Sequence, residues 1–327
     1  MIPISNIKAE HLPWLARARR RIAGALRQGR LPHGLLIHAP RGVGADSLAL
    51  WIGQLALCRA PGEEPCGTCA ACRLIAAGNH PDLHWITLLE DKRDVLIEQV
   101  RELSEAFGFK SYRGGRKVGV IAPADLMNDK AANALLKTLE EPPPDALLVL
   151  VCERPSRLPA TIVSRCQRIS IPAPLRAVAL EWLSAREPDL ASWNEVLEFA
   201  GGAPLRALEL HASGFANLHR EMNATLNALR ERSLDIPATA GGWAGRNAAV
   251  ALEDRLSWIE TWITNSLREA FQRGANLQSL PGIRKIRGLY AVLDRVREFK
   301  LELSKFSLNA QLATEELLLR TQVALAA

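Results

Sequence analysis

The sequence predicts an α/β domain built on a parallel sheet, followed by an all-helical second half. Three observations carry that prediction. Short apolar runs at 35–38, 117–122 and 146–152 alternate with segments of helical period, as strands covered on both faces do. Beyond Ile171-Pro172-Ala173-Pro174 the strand signals fade, while Leu252, Leu256, Ile259, Ile263 and Leu267 recur at helical spacing. A chain of 327 residues also exceeds what one compact core usually organises.

The first thirty residues read as an amphipathic, arginine-rich helix with Trp14, Leu15, Ile22 and Leu26 on its apolar face. Pro32, His33 and Gly34 break it. Strand 35–38 runs into the turn-rich Ala39-Pro40-Arg41-Gly42-Val43-Gly44, and a helix is expected from about Asp46 to Leu57. A further helix over 131–141 places Ala131, Leu135, Leu136 and Leu139 on one face, and Pro142, Pro143 and Pro144 stop it. Gly241-Gly242 and Pro281-Gly282 are expected as turns between helices. No internal repeat or long low-complexity segment stands out.

The composition, 48% hydrophobic and 23% charged, is that of a globular chain, and a cytoplasmic location is expected. No apolar run reaches the roughly 18 residues of a membrane span, and the N-terminus has no signal-peptide pattern. A net charge of +6 fits nucleic-acid contact and fits equally a solvated basic face. The basic residues gather as Arg17, Arg19, Arg20, Arg21, Arg27 and Arg30, with Arg284, Lys285 and Arg287 as a smaller set. They could touch phosphates without sequence preference, or serve solubility and neighbouring chains. No helix-turn-helix, RNP or C2H2 pattern indicates sequence reading. His33, His38 and His80 are not spaced as partners in a site, and structural roles are expected for them.

The turn after the first strand has the outline of a phosphate-binding loop, G-x-x-x-x-G-K-[ST], whose lysine neutralises phosphates and whose hydroxyl holds magnesium. In Ala39-Pro40-Arg41-Gly42-Val43-Gly44-Ala45-Asp46 the turn-forming Gly42 and Gly44 remain. Ala45 replaces the lysine, and Asp46 sets a carboxylate where the hydroxyl belongs. An unrelated strand–turn–helix junction would read the same way. After the strand at 117–122, an ATPase needs an acidic pair for magnesium and water; here the pair is Ala122-Pro123, and Asp125 lies too far along. Two losses at two required positions argue against hydrolysis, and no nucleotide cofactor is expected.

Four of the six cysteines, Cys58, Cys66, Cys69 and Cys72, fall within fifteen residues, while Cys152 and Cys166 stand apart. In a reducing compartment such a cluster reads as a metal site. Four thiolates close a tetrahedral shell around Zn²⁺ with no open position, which points to a structural ion. An iron–sulfur centre uses the same ligand type. Pro61-Gly62, Pro65 and Gly67 supply turns between the ligands.

The stretch Asn133-Ala134-Leu135-Leu136-Lys137-Thr138-Leu139-Glu140-Glu141-Pro142-Pro143 closely resembles one shared by the bacterial clamp-loader subunits of the AAA+ family. Leu158-Pro159-Ala160-Thr161-Ile162-Val163 and then Ser164-Arg165-Cys166 follow at that family's spacing, and Gly78-Asn79-His80-Pro81-Asp82 precedes them. The likeness covers most of residues 30–170; beyond about 210 it is one of helical character only. With its failed loop the chain resembles the non-hydrolysing branch, not the gamma or tau type.

That resemblance implies a RecA-like AAA+ domain over 1–168 with a zinc module at 58–72, a small helical lid domain over 169–209, and an all-α collar domain over 210–327. It implies that Arg165, flanked by Ser164 and Cys166, reaches in trans into a neighbour's ATP site as an arginine finger. The implied partners are gamma or tau subunits, a delta subunit, the sliding clamp and primer-template DNA, with the chain acting as a stator. Cys152-Glu153 stands at the polar sensor position, and Leu205 stands about where active relatives carry a nucleotide-sensing arginine, one residue before Arg206. Two other readings compete. Nucleotide binding by the isolated chain would indicate an active ATPase with an unorthodox loop, and zinc-dependent tight DNA binding would indicate a nucleic-acid module.

Overall fold

Five short strands alternate with helices along the first part of the chain in the computed structural model, which describes residues 7–60, 62–90, 92–112, 114–187, 193–245, 251–272, 280–305 and 309–326. Two 3-10 turns, Ala9–His11 and Pro13–Leu15, lead into α1 (Ala16–Arg27). Then come β1 (Gly34–His38), α2 (Ala45–Leu57), α3 (Ala70–Ala76), β2 (Leu83–Ile86), α4 (Ile97–Gly108) and β3 (Lys117–Ile121). α5 (Asp129–Glu140), β4 (Ala146–Cys152), α6 (Ala160–Arg165), β5 (Gln167–Ser170) and α7 (Arg176–Ser184) complete this part.

The strands form one parallel sheet in the order β2-β3-β4-β1-β5, with Leu36 opposite both Leu150 and Arg168. β4 is buried along its whole length, which explains its unbroken apolar sequence. Successive side chains point to opposite faces. On one face Leu36, Leu148, Leu150 and Ile121 form a core with Val100, Leu103 and Phe107 of α4 and Ala131, Leu135 and Leu139 of α5. On the other face α2 lies so close that a Cβ on Gly53 would sit 3.1 Å from Leu83 and 3.8 Å from Val118. Asn128 starts α5 by accepting the Ala131 N–H at 2.8 Å.

These residues up to Leu190, together with Gly202–Arg206, make one compact unit; Ala191–Gly201 with Ala207–Ala327 make a second. Every described element after β5 is a helix. They continue as α8 (Trp193–Phe199), α9 (Pro204–Ala212), α10 (Phe215–Glu231), α11 (Ile236–Ala244), α12 (Leu252–Gln272), α13 (Leu280–Lys305) and α14 (Ala310–Ala326). In the second unit Phe199 stacks on Trp258 at 5.3 Å, and the Trp258 indole donates to His219 Nδ1 at 3.3 Å. Leu256, Ile259, Ile263 and Leu267 are buried along α12 as their spacing requires, and Leu252 is half-buried. Arg255, buried, makes a two-pronged pair with Glu221 at 3.0 and 3.1 Å. No described helix is long and apolar enough to cross a membrane.

Several expectations need correction. The N-terminal segment is not one helix over thirty residues: Pro13 confines the helix proper to 16–27, and Leu12 and Leu15 are buried in the turns before it. Gly241-Gly242 lies inside α11, which Asp235 caps by accepting the Ala238 N–H at 3.0 Å and which Pro237 helps to start. Pro281-Gly282 lies in the first turn of α13, where a proline's missing N–H costs nothing. β2, β5, α3 and α4 were not anticipated.

On the first face α4 packs closely over Gly119 in β3, where an added Cβ would lie 2.8 Å from Leu103 and 3.0 Å from Phe107. Gly119→Val is expected to lower unfolding stability by about 1–3 kcal/mol through overpacking, measured by denaturant titration. An unchanged midpoint would show that α4 is free to retreat.

Candidate functional site

In an open parallel sheet ligands bind beyond the carboxyl ends of the strands, where the strand order reverses. Here that place is the end of β1 beside β4, and the glycine loop occupies it: the Ala39 N–H donates to the Cys152 carbonyl at 3.1 Å. Gly44 adopts φ +90° and begins α2, and Gly42 adopts φ +82°. The backbone outline of a phosphate cradle is therefore present.

The chain's own atoms crowd that loop. A Cβ on Gly42 would fall 2.5 Å from the Arg206 Cβ and 2.6 Å from its backbone nitrogen, and the Leu205 N–H donates to the Gly42 carbonyl at 2.9 Å. Around Gly44 lie the side chains of Leu12, Leu15 and Leu205. The Trp14 indole N–H donates to the Val43 carbonyl at 2.8 Å. Ser47, the first hydroxyl after Asp46, is buried and donates to the Ile7 carbonyl at 2.9 Å, so it does not replace the lost magnesium ligand.

Carboxylates and guanidiniums both lie in this region. Burial pushes the Glu153 carboxyl above its ordinary range; Asp125 and Asp46 add to that shift, while Arg41 and Arg154 oppose it. Asp125 is buried and accepts the N–H groups of Arg154 at 3.0 Å and Glu153 at 3.4 Å. It holds the turn after β4, and Ala122-Pro123 offers no carboxylate in its place. Burial raises Cys152 to about 12 and Cys166 to about 11, leaving both thiols inert.

The four clustered cysteines converge: their sulfurs lie within 4.8 Å of one another, with Cys66 and Cys72 at 4.0 Å. A tetrahedral shell with metal–sulfur bonds of about 2.3 Å requires sulfur separations of about 3.8 Å. Cys58 ends α2, and Cys69 is the N-cap of α3. Gly67, at φ +70°, turns the chain so that the Cys69 N–H reaches Cys66 Sγ at 3.3 Å. The Cys66 N–H donates to Cys58 Sγ at 3.3 Å. The N–H groups of Cys69 and Thr68 hold Cys66 down to about 6, and the Arg59 N–H lowers Cys69; burial raises Cys58 and Cys72. Four sulfurs so placed could hold a metal ion, which would draw all of them into the thiolate form.

Glu64, between the first two cysteines, ties this loop to the core. It accepts the Trp51 indole N–H of α2 at 2.5 Å and pairs with Arg19 of α1. Arg27 pairs with Glu63 at 3.7 Å. Two of the N-terminal arginines thus serve the cysteine loop, while Arg17, Arg20, Arg21 and Arg30 are exposed. His33 contacts the Leu139 carbonyl at 3.2 Å, and His80 Nδ1 accepts the Asp82 N–H at 3.1 Å, so both organise backbone.

Ser164 and Arg165 end α6, and Cys166 is buried beyond it. The half-exposed Arg165 guanidinium pairs with Glu140 at 2.8 Å and donates to the Thr161 carbonyl at 3.0 Å. Arg165 sits beside Gly34, at the start of β1, whereas the glycine loop follows its end. The sequence did not point to Glu140 as this partner, to Glu64, or to Leu12 and Leu15 at the loop. Each depends on contacts made across many residues.

Comparison with known proteins defines the class first. Over 94% of this chain and 98% of the other, the fold aligns with a DNA polymerase III gamma subunit-related protein of Thermotoga maritima, at 17% identity and TM-score 0.50. A family model described as DNA polymerase III, delta subunit, matches residues 15–174. Two curated relatives are the DNA polymerase III subunit delta' of Pseudomonas aeruginosa, 34% identical over 85% of this chain and 84% of its own, and that of Escherichia coli strain K12, 34% identical over 78% and 76%. The chain belongs to the DNA polymerase III delta' subunit family.

Two outcomes follow from the geometry. Elemental analysis of the purified chain should find about one metal ion, zinc being assayed first, and Cys72→Ser should release it and lower the melting temperature; full metal retention in that variant would exclude the four-sulfur shell. Restoring the loop's chemistry with Ala45→Lys and Asp46→Thr should still leave ATP affinity weaker than about 1 mM, because Leu12, Leu15, Leu205 and the Arg206 backbone remain. Micromolar binding of a fluorescent ATP analogue by that double variant would show that the crowding is not a barrier.

Proposed function

We propose that this chain is the non-hydrolysing, stator-like subunit of a bacterial clamp loader within the DNA polymerase III assembly, and that it presents Arg165 to the ATP site of an adjacent gamma or tau subunit. It would act with those subunits and a delta subunit to place the sliding clamp on primer-template DNA in the cytoplasm, touching DNA without sequence preference. By itself it is not an enzyme. Residues 1–168 correspond to a RecA-like AAA+ domain, 169–209 to a lid domain and 210–327 to a collar domain. Cys58, Cys66, Cys69 and Cys72 would hold a structural zinc ion that fixes the link between α2 and α3 and does no chemistry.

One observation carries the reading. The loop that would take a nucleotide is filled from within the chain, while a guanidinium is displayed at the opposite end of the same strand. The four steps from Gly34 to His38 separate the two by about 13 Å. An arginine so placed cannot serve its own loop, and its planar, always-charged fork suits phosphate oxygens on another subunit. Ser164 and Cys166 are its motif neighbours: the Ser164 hydroxyl donates back to the Thr161 carbonyl at 3.0 Å, and Cys166 anchors the chain in the core.

The test is DNA- and clamp-stimulated ATP hydrolysis by a reconstituted loader containing native chain or Arg165→Ala, with assembly checked by gel filtration. Turnover is expected to fall by about tenfold or more in the variant. Native turnover in a fully assembled variant would remove the arginine-finger role.

A further inference from the structure

Arg165 is held on its own subunit before any partner is present. Its backbone packs closely against Gly34: a Cβ there would lie 3.2 Å from the Arg165 carbonyl oxygen, 3.2 Å from Leu139 and 3.3 Å from Cys166 Sγ. Its side chain is clamped at two points, one guanidinium nitrogen on the Thr161 carbonyl at 3.0 Å and the other on Glu140 Oε1 at 2.8 Å. The Thr161 bond serves the last turn of α6, where the guanidinium joins the Ser164 hydroxyl on the same carbonyl. Glu140 has no such local reason to be where it is. It is the last residue of α5, and a carboxylate at a helix C-terminus opposes the helix dipole. Its backbone is pinned by the buried Leu139 before it and by Pro142, Pro143 and Pro144 after it. Both members of the pair are partly exposed, at 36% and 48%, so the bond adds little to folding.

We propose that Glu140 is a positioning residue for Arg165: it fixes the guanidinium in the rotamer that faces a neighbouring subunit. This rests on the trans role given to Arg165 above. A free arginine side chain loses much rotamer freedom when it engages a phosphate, and a side chain already oriented loses less. The guanidinium has five N–H donors in a fixed fork, so two bonds made within the subunit leave others directed outward. Glu140 touches no nucleotide and acts through Arg165.

The experiment is a double-mutant cycle in the reconstituted loader with full-length chain: native, Glu140→Gln, Arg165→Ala and the pair together. For each, kcat and KM for ATP are measured per assembled complex, and melting of the free chain reports folding. Glu140→Gln keeps shape and hydrogen-bonding capacity while removing the charge. Expected is a fall in kcat of about two- to fivefold with KM for ATP near native, because the oriented group acts in the transition state. In the Arg165→Ala background the same change should have no further effect. Three results would overturn the proposal: native kcat in Glu140→Gln when Arg165→Ala is slow, equal losses in both backgrounds, or faster turnover, which would make Glu140 a restraint. Native kcat in Arg165→Ala would overturn the trans role itself and is recognised separately.

Discussion

At the first residue of β1 three elements meet with no room for a side chain. Gly34 lies against Leu139 of α5, the last carbonyl of α6 and the sulfur of Cys166. A larger residue would require Leu139, the Arg165 carbonyl or Cys166 to give way by a few tenths of an ångström. Because β1 lies between β4 and β5, this contact sits where the sheet meets the end of α6 and Arg165. The other end of β1 carries the glycine loop. One strand of five residues therefore sets two poles, one displaying a cation and one shaped for an anion yet closed to it.

Two poles of different character on one molecule suit head-to-tail contact between subunits, not a self-complementary pair. Around the loop Glu153, Asp125 and Asp46 lie among the guanidiniums of Arg41 and Arg154. The buried, inert thiols of Cys152 and Cys166 add packing without reactivity.

What the sequence revealed follows from how local each signal is. β1, β3 and β4 were legible because strands covered on both faces are apolar throughout. β5 was not, because three of its four residues, Gln167, Arg168 and Ser170, are exposed at the sheet's edge. β2 mixes buried Leu83 and Ile86 with half-buried His84 and Trp85 and has no clear period. Gly241-Gly242 misled because glycine marks turns on average, whereas the Asp235 cap and Pro237 start a helix strong enough to run through it. The four cysteines announced their convergence by spacing, since ligands within one short loop need no long-range contact. Glu64 could not be foreseen: its partners are Trp51 and Arg19, thirteen and forty-five residues away. The departures from a phosphate-binding pattern at Ala45 and Asp46 in the loop, and at Ala122 and Pro123 after β3, are local, but the packing of Leu12, Leu15, Leu205 and Arg206 against the loop exists only in three dimensions.

That filling has a historical consequence. A loop that had merely lost its lysine would stand one substitution from recovery, and selection could restore it at any time. Here Leu12, Leu15, Leu205 and Arg206 pack against the loop glycines, and Leu12 and Leu15 are wholly buried in the folded core. Any substitution at Leu12 or Leu15 would therefore be felt in the folded core as well as at the loop. The history of the loop is thus tied to that of the core, since a change that reopens one is also a change in the packing of the other.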